Sequence, residues 1–467
     1  MSKKADLINL DGYDAKTRRM MEGMAAAENR ALAARAEEEC ECKEGMFPSV
    51  GRRGFLAAAG AAGATALMTH SANAAVPGAM DYPVQKDPTR EQGRLTNDDG
   101  GYGSRSQFES EVRWRFPTAT KESSWTMTPL DKSQGIVTPS GLHFERHHGG
   151  IPAVDPGKHT LIVHGMVNQA RKYTMADLQR FPSVSRQCFI ECSGNGLTEW
   201  KKPYLKTVQG THGLTSTSEW TGVPLSTILR EVGVKDGAAW ILAEGRDAAV
   251  MTRSVPLDKC WSDAMLAYGQ NGEMLRPEQG YPLRLLLPGY EGNTHIKWLR
   301  RIEVSDKPFM SREETSKYTD LLNGGKARQF SFTMEAKSVI TYPSGEMKLP
   351  GAGFYELTGL AWSGRGKVRR VDISTDGGAS WGLAQLQTPI QSICHTRFRF
   401  PWHWDGKPAI LQSRCQDETG YTQPTIKQLV AVRGLDGHAK FGSIYHLNGI
   451  QSWGVDSDGS VKNVHKY

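Results

Sequence analysis

A mixed α+β domain followed by an all-β sandwich is the architecture this 467-residue chain predicts. Three observations carry it. Between residues 141 and 320 short apolar strands alternate with helical spacing, whereas beyond about residue 325 alternating strands take over. The composition, 38% hydrophobic and 23% charged, excludes an intrinsically disordered chain or a multispanning membrane protein. At roughly 100–200 residues per domain, the length allows two to four domains.

Taken from the start, residues 1–45 form a charged extension with Cys40 and Cys42 among Glu-rich neighbours, and Met46 is an alternative start. Arg52-Arg53-Gly54-Phe55-Leu56 then precedes an Ala-rich run to Met68 and the triplet Ala72-Asn73-Ala74. A charged start, an apolar h-region of about 7–15 residues and an A-x-A site are the parts of a signal peptide. Paired arginines beside Phe-Leu point to the twin-arginine route, so residues 46–74 predict export to the periplasm. The run is shorter than the roughly 20 apolar residues of a membrane span, so no stable span is expected. Twin-arginine export carries folded proteins, which suggests a cofactor inserted before translocation. Through Ala74 basic and acidic residues balance, so the net charge of +7 falls on the remainder. That excess suits anionic substrates or an acidic partner, and equally plain solubility.

Residues 75–140 read as an irregular, Gly-rich arm except around Val112–Phe116. From His159 the pattern changes. Thr160–His164, Ala239–Ala243 and Leu283–Leu287 read as buried strands, and Met175–Phe181 and Leu225–Val232 have helical spacing. A boundary falls near residues 311–330. In the C-terminal region Val368–Ser374 alternates and runs into Asp376-Gly377-Gly378, a hairpin signal, and Phe398–Phe400, Ala409–Ser413 and Leu429–Val432 read as further strands.

Seven cysteines are too few for a disulfide scaffold, and no pair of CxxC elements offers a structural zinc site. Cys192 ends an apolar strand, Cys188 to Cys192, in the small residues Ser193-Gly194-Asn195-Gly196. Both thiols could be ordinary buried residues or one disulfide, although in a fully extended strand they lie too far apart to bridge, or Cys192 could present one soft ligand to a metal. Phe144-Glu145-Arg146-His147-His148 packs a guanidinium and two imidazoles before glycines. Adjacent histidines in an extended segment point apart, so anion binding through Arg146 and one His fits better than zinc, with surface charge as the bland account. Arg284 opens a buried strand, and His295 and Lys297 alternate on one face, a positive lining for a phosphate-bearing group unless Arg284 is a satisfied core residue. No GxGxxG, P-loop, HExxH or GxSxG pattern occurs in a convincing context, and no CxxCH haem motif despite Cys394-His395. Nothing points to nucleic acid.

Together these stretches resemble the sulfite oxidase family of molybdenum enzymes over residues 140–455. The resemblance rests on Phe144 to His148, Cys192-Ser193-Gly194-Asn195, Pro288 to Trp298, Tyr318 and the hairpin Asp376-Gly377-Gly378-Ala379-Ser380-Trp381. It implies an α+β molybdopterin-binding domain of the sulfite oxidase fold (141–320), then an immunoglobulin-like dimerisation sandwich (325–467). It also implies a molybdenum-molybdopterin cofactor with Cys192 as the protein ligand, and no haem in this chain. Arg146 and Arg284 would hold the substrate oxyanion, and Tyr318 would hydrogen-bond near the reactive centre. His147, His148, Asn195, Asp247, Arg284, His295 and Lys297 would grip the pterin and its phosphate.

Three departures bear on the substrate. Gly196-Leu197 stand where the family commonly has two arginines, Gln279 where it has His, and Lys317 where it has Asp. With the leader, they resemble the family's periplasmic branch, in which the molybdenum subunit oxidises sulfane sulfur on a carrier protein. That branch works with a separate c-type dihaem cytochrome, and a homodimer within a hetero-oligomer follows. Dehydrogenation of free sulfite and an exported, non-catalytic binding module are the alternatives.

Overall fold

In the strand Thr160–Gly165 the period of two turns Leu161 and Val163 inward and Ile162 to solvent. The computed structural model describes residues 108–116, 118, 120–434 and 446–465. The charged extension with Cys40 and Cys42, Met46, the twin-arginine segment and the arm up to residue 107 lie outside the described residues. Among the described residues no helix is long and apolar enough to cross a membrane.

Thr160–Gly165 belongs to a five-stranded sheet in the order Arg171–Thr174, Thr160–Gly165, Leu299–Ser305, Trp240–Gly245, Thr252–Pro256. Only Thr160–Gly165 and Leu299–Ser305 run parallel. The helix Met175–Gln179 starts at a capping box, in which the Thr174 hydroxyl accepts from the Asp177 amide and the Asp177 carboxylate accepts from the Thr174 amide. The helix Leu225–Val232 occupies its predicted span and stops at Gly233, whose φ of 67° takes it out of helical geometry. Its Leu225, Ile228, Leu229 and Val232 pack into one core with Leu161, Val163, Ile241 and Ile302.

A second sheet runs Glu273–Met274, Met265–Gln270, Thr215–Pro224, Val184–Glu191, with Arg284–Leu286 also paired to Met265–Gln270. Val184–Glu191 is exposed at its start and buried over its last four residues, so it delivers Cys192 to the interior. The described arm is mostly irregular, and it holds two short strands, one within the excepted stretch Val112–Phe116 and one beyond it. Trp114–Phe116 and Trp125–Met127 are strands that form a three-stranded sheet with Glu145–Arg146, in which Trp125 is the cross-strand partner of Arg146. Alternating aromatic and polar residues explain it, and Phe116 stacks on Trp125 at 4.7 Å.

The C-terminal domain is a sandwich. One sheet runs Lys337–Tyr342, Gly353–Trp362, Thr396–Trp404, Gln385–Leu386, and the other Gly382–Leu383, Val368–Ser374, Ala409–Asp417, Ser452–Val455, Val461–Val464. Its core includes Trp362, Phe398, Leu411 and Trp453. The predicted hairpin joins Val368–Ser374 to Gly382–Leu383, with Gly377 and Gly378 at φ 71° and 91°. The strand expected at Leu429–Val432 is instead part of a helix, Ile426–Arg433. Thr425 and Gln428 form a capping box at its start, a local signal that outweighs the β-branched run. Where the two domains meet, Gly289 and Gly364 run backbone against backbone: a Cβ on Gly289 would lie 2.3 Å from the Gly364 oxygen, and one on Gly364 2.2 Å from the Gly289 oxygen.

Candidate active site

Cys192 follows the buried strand end, and its amide donates to Leu214 O at 2.9 Å while its carbonyl accepts from the Asn195 amide at 2.9 Å. Its thiol opens on a cavity of about 690 Å³ empty volume, lined also by Arg146, His147, His148, Asp247, Arg284, His295, Lys297 and Tyr318. Residues dispersed over 170 positions therefore share one chamber. Asn195 does not line it. Its amide nitrogen donates to Glu191 Oε1 at 2.9 Å and its oxygen accepts from the Leu214 amide at 3.1 Å, so it fixes the Cys192 turn and lines an adjacent cleft instead. All five described cysteines are free, so Cys188 and Cys192 are not bridged. Among the described residues no group of three or more His, Cys, Asp or Glu side chains could cage a bare metal ion.

Charge is arranged by direction. Lys297 Nζ donates to Arg146 O (3.1 Å), Glu278 O (2.9 Å) and His147 Nδ1 (3.0 Å). An imidazole whose Nδ1 accepts must carry its proton on Nε2, and His147 Nε2 donates it to Glu145 Oε2 at 2.7 Å. The two histidines diverge, as expected of neighbours in an extended segment. Arg146 Nη2 lies 3.3 Å from His148 Nδ1, and because a guanidinium only donates, Nε2 of His148 holds the proton and donates to Tyr318 Oη at 3.0 Å. The tyrosine's own proton is left for the cavity. Burial, then the Arg146 charge, pushes His148 down to about 3, and burial pushes Tyr318 above the ordinary phenol range, so both are neutral near pH 7.

Arg284 is buried over the Trp220 ring at 4.8 Å and donates to Gln279 O (3.1 Å) and His295 O (3.3 Å). His295 lines the chamber, but its ring nitrogens already bond the Leu287 amide (3.3 Å) and Tyr290 O (3.1 Å). Asp247 Oδ1 accepts from the Met251 amide at 3.0 Å. His143 also faces the cavity, although the motif reading began one residue later, at Phe144. Three histidines within six residues were its available signal.

Two buried atoms show what the chamber accommodates. Arg284 Nε and His143 Nε2 have no hydrogen-bond partner within the protein. His143 Nδ1 bonds Phe144 O at 3.0 Å, which leaves Nε2 a bare acceptor. Buried donors and acceptors are rarely left unmade, so an occupant with both anionic and N–H character fits, and a phosphorylated pterin has both. Burial also pushes the Cys192 thiol up, so a thiolate there needs a cation such as a metal beside it.

Lys297 gives a pH test. Burial, then the Arg284 charge, lowers it from 10.5 to about 7. Between those values the cofactor-free fold binds fewer protons than the unfolded chain, so stability rises with pH across that window, and the penalty is fully present below it. Thermal melts of molybdenum-free protein should therefore climb from pH 7 to 9, and Lys297→Met should flatten the slope. An identical slope in the variant would refute the assignment.

Residues 148–313 match the oxidoreductase molybdopterin binding domain family, and residues 328–445 the Mo-co oxidoreductase dimerisation domain family. Fold and site thus define a molybdopterin-binding oxidoreductase. The crystal structure of the sulfane dehydrogenase SoxCD from Paracoccus pantotrophus is 44% identical with a TM-score of 0.75, covering 80% of this chain and 96% of that one. Mitochondrial sulfite oxidase of Mus musculus is 31% identical over 294 residues, 58% of this chain and 52% of that protein. The NADH nitrate reductase of Ulva prolifera is 30% identical over 338 residues, 63% and 38% respectively. The chain belongs to the sulfite oxidase family of molybdenum enzymes, and it is structurally close to the matched sulfane dehydrogenase chain. It spans between about a third and about half the length of the curated relatives it matches.

Proposed function

We propose that the chain oxidises sulfane sulfur carried on a partner protein, in the periplasm after twin-arginine export, and passes the electrons to a c-type cytochrome. The carrying observation is the cleft beside the cofactor chamber. Its empty volume is about 670 Å³, and it shares Arg146, Cys192 and Tyr318 with the chamber as a common wall. The rest of its lining includes Phe116, Trp125, Met127, Leu197, Leu205 and Leu214, with Gly194, Gly196 and Gly210. Arg146 is its one charged lining residue. A free dianion would find a single cation there and lose its hydration against apolar walls, whereas a sulfur on a slender arm carries less charge and gains from those walls. Gly196, at φ 88°, stands where the family commonly has an arginine. The likeness to sulfane dehydrogenase supports the same reading.

When bound, the molybdenum cofactor supplies two-electron oxidation and oxygen-atom transfer. Cys192 would be its protein ligand, and Arg284, Lys297, Asp247 and His143 would hold the pterin end. Arg146 holds the anionic end of the substrate against the shared wall. His148 orients Tyr318 so that its hydroxyl proton points to an oxygen-bearing reactant, a charge-assisted contact worth on the order of 1.5–3 kcal/mol if that reactant is anionic. With ferricyanide as acceptor, kcat/KM for a cysteine-persulfide peptide should exceed that for free sulfite by at least about tenfold. A preference for sulfite would overturn the proposal.

A further inference from the structure

The sandwich domain reaches both ends of the active site through buried side chains. Glu191, the neighbour of Cys192, accepts on Oε1 from Lys337 Nζ (2.7 Å) and Asn195 Nδ2 (2.9 Å), and on Oε2 from Trp362 Nε1 (2.7 Å). Lys337 Nζ also donates to Asn195 O at 3.1 Å. One ammonium thus ties the residue before Cys192 to the residue that closes its turn. Lys337 and Trp362 are direct cross-strand partners in the sandwich, and Lys337 and Glu191 are both 0% exposed. At the other end, Arg433 of the helix Ile426–Arg433 pairs with Asp320, two residues beyond Tyr318, at 3.5 Å and with Glu335 at 3.0 Å.

A buried ion pair contributes little net stability, because desolvating both charges offsets their attraction. What this one does contribute is position. The Cys192 backbone is bonded to Leu214 and Asn195, and its sulfur accepts from the Gly194 amide within the same turn, so the pose of that sulfur follows from the turn that Lys337 bridges. We propose that Lys337 is a positioning residue for the Cys192 sulfur, which makes the C-terminal domain part of the catalytic apparatus as well as a dimerisation module. The inference rests on the cofactor assignment and not on the identity of the sulfur substrate.

The test uses holoenzyme and no substrate. Lys337→Met combined with Glu191→Gln removes both charges and strands neither, and Trp362→Phe deletes one donor while keeping a ring. Both are compared with wild type for molybdenum content, thermal melting, visible thiolate-to-metal absorption and the Mo(V) paramagnetic resonance signal after dithionite reduction. A purely structural pair would lower the melting temperature and leave both spectra in place. The proposal expects shifted absorption and shifted g values with molybdenum retained, and partial return to the wild-type spectra in Lys337→Arg. Wild-type spectra in the double variant overturn it. Should the double variant fail to fold, wild-type spectra in Trp362→Phe overturn it alone.

Discussion

Replacing Cys192 with alanine should lower turnover by more than about a thousandfold, beyond the 10–100-fold that loss of an outer partner of a metal site costs. The fold should survive, because Cys192 is only partly buried and the alanine variant loses one side-chain bond, from the Gly194 amide, while both backbone bonds remain. A stability change of about 1 kcal/mol or less is expected. Molybdenum and pterin content, measured beside turnover, separate the cases. If Arg284 and Lys297 hold the pterin end as proposed, much of the cofactor should stay in place while turnover is lost. A variant that retained both metal and full turnover would remove Cys192 from the metal.

Arg284→Met carries the second large effect, and there stability and function part company. Arg284 is buried, makes no ion pair among the described residues, and is lowered to about 9 by burial. Methionine loses two bonds to backbone carbonyls, and it also removes an uncompensated buried charge. The cofactor-free variant should therefore melt within about 1 kcal/mol of wild type, whereas truncating one partner of a buried pair costs 3–5 kcal/mol. Cofactor content of the purified variant should fall at least about tenfold. A strong loss of stability with normal cofactor content would make Arg284 a structural residue.

Much of the chamber was legible because its residues lie in short segments whose composition conflicts with their setting. Arg284 opening an apolar strand, and His295 and Lys297 within an apolar stretch, are polar groups where burial demands partners. Periodicity located the helix Leu225–Val232 and the paired strands of the sandwich. The strand Trp125–Met127 escaped it, since three residues hold barely one period and its pairing with Glu145–Arg146 is long-range. At Leu429–Val432 the β-branched residues suggested a strand, and the Thr425 and Gln428 caps decided for a helix.

Roles were harder to read than membership. Asn195 and His295 belong to the right motifs, but Asn195 bonds Glu191 and the Leu214 amide and His295 bonds backbone groups, and spacing cannot reveal either arrangement. Lys337 reads as an ordinary strand-end lysine. Its partner lies 146 positions earlier in the chain, so only tertiary structure brings the charges together.

The contact between Gly289 and Gly364 constrains how the protein can vary. A methyl group at either position would meet a carbonyl oxygen well inside van der Waals distance, with backbone and no flexible side chain to yield. Substitution there would wedge the two lobes apart along the line where they meet. Drift in one lobe is thereby coupled to the other, so chimeras that graft a foreign sandwich onto this catalytic half must import a bare peptide at the matching spot.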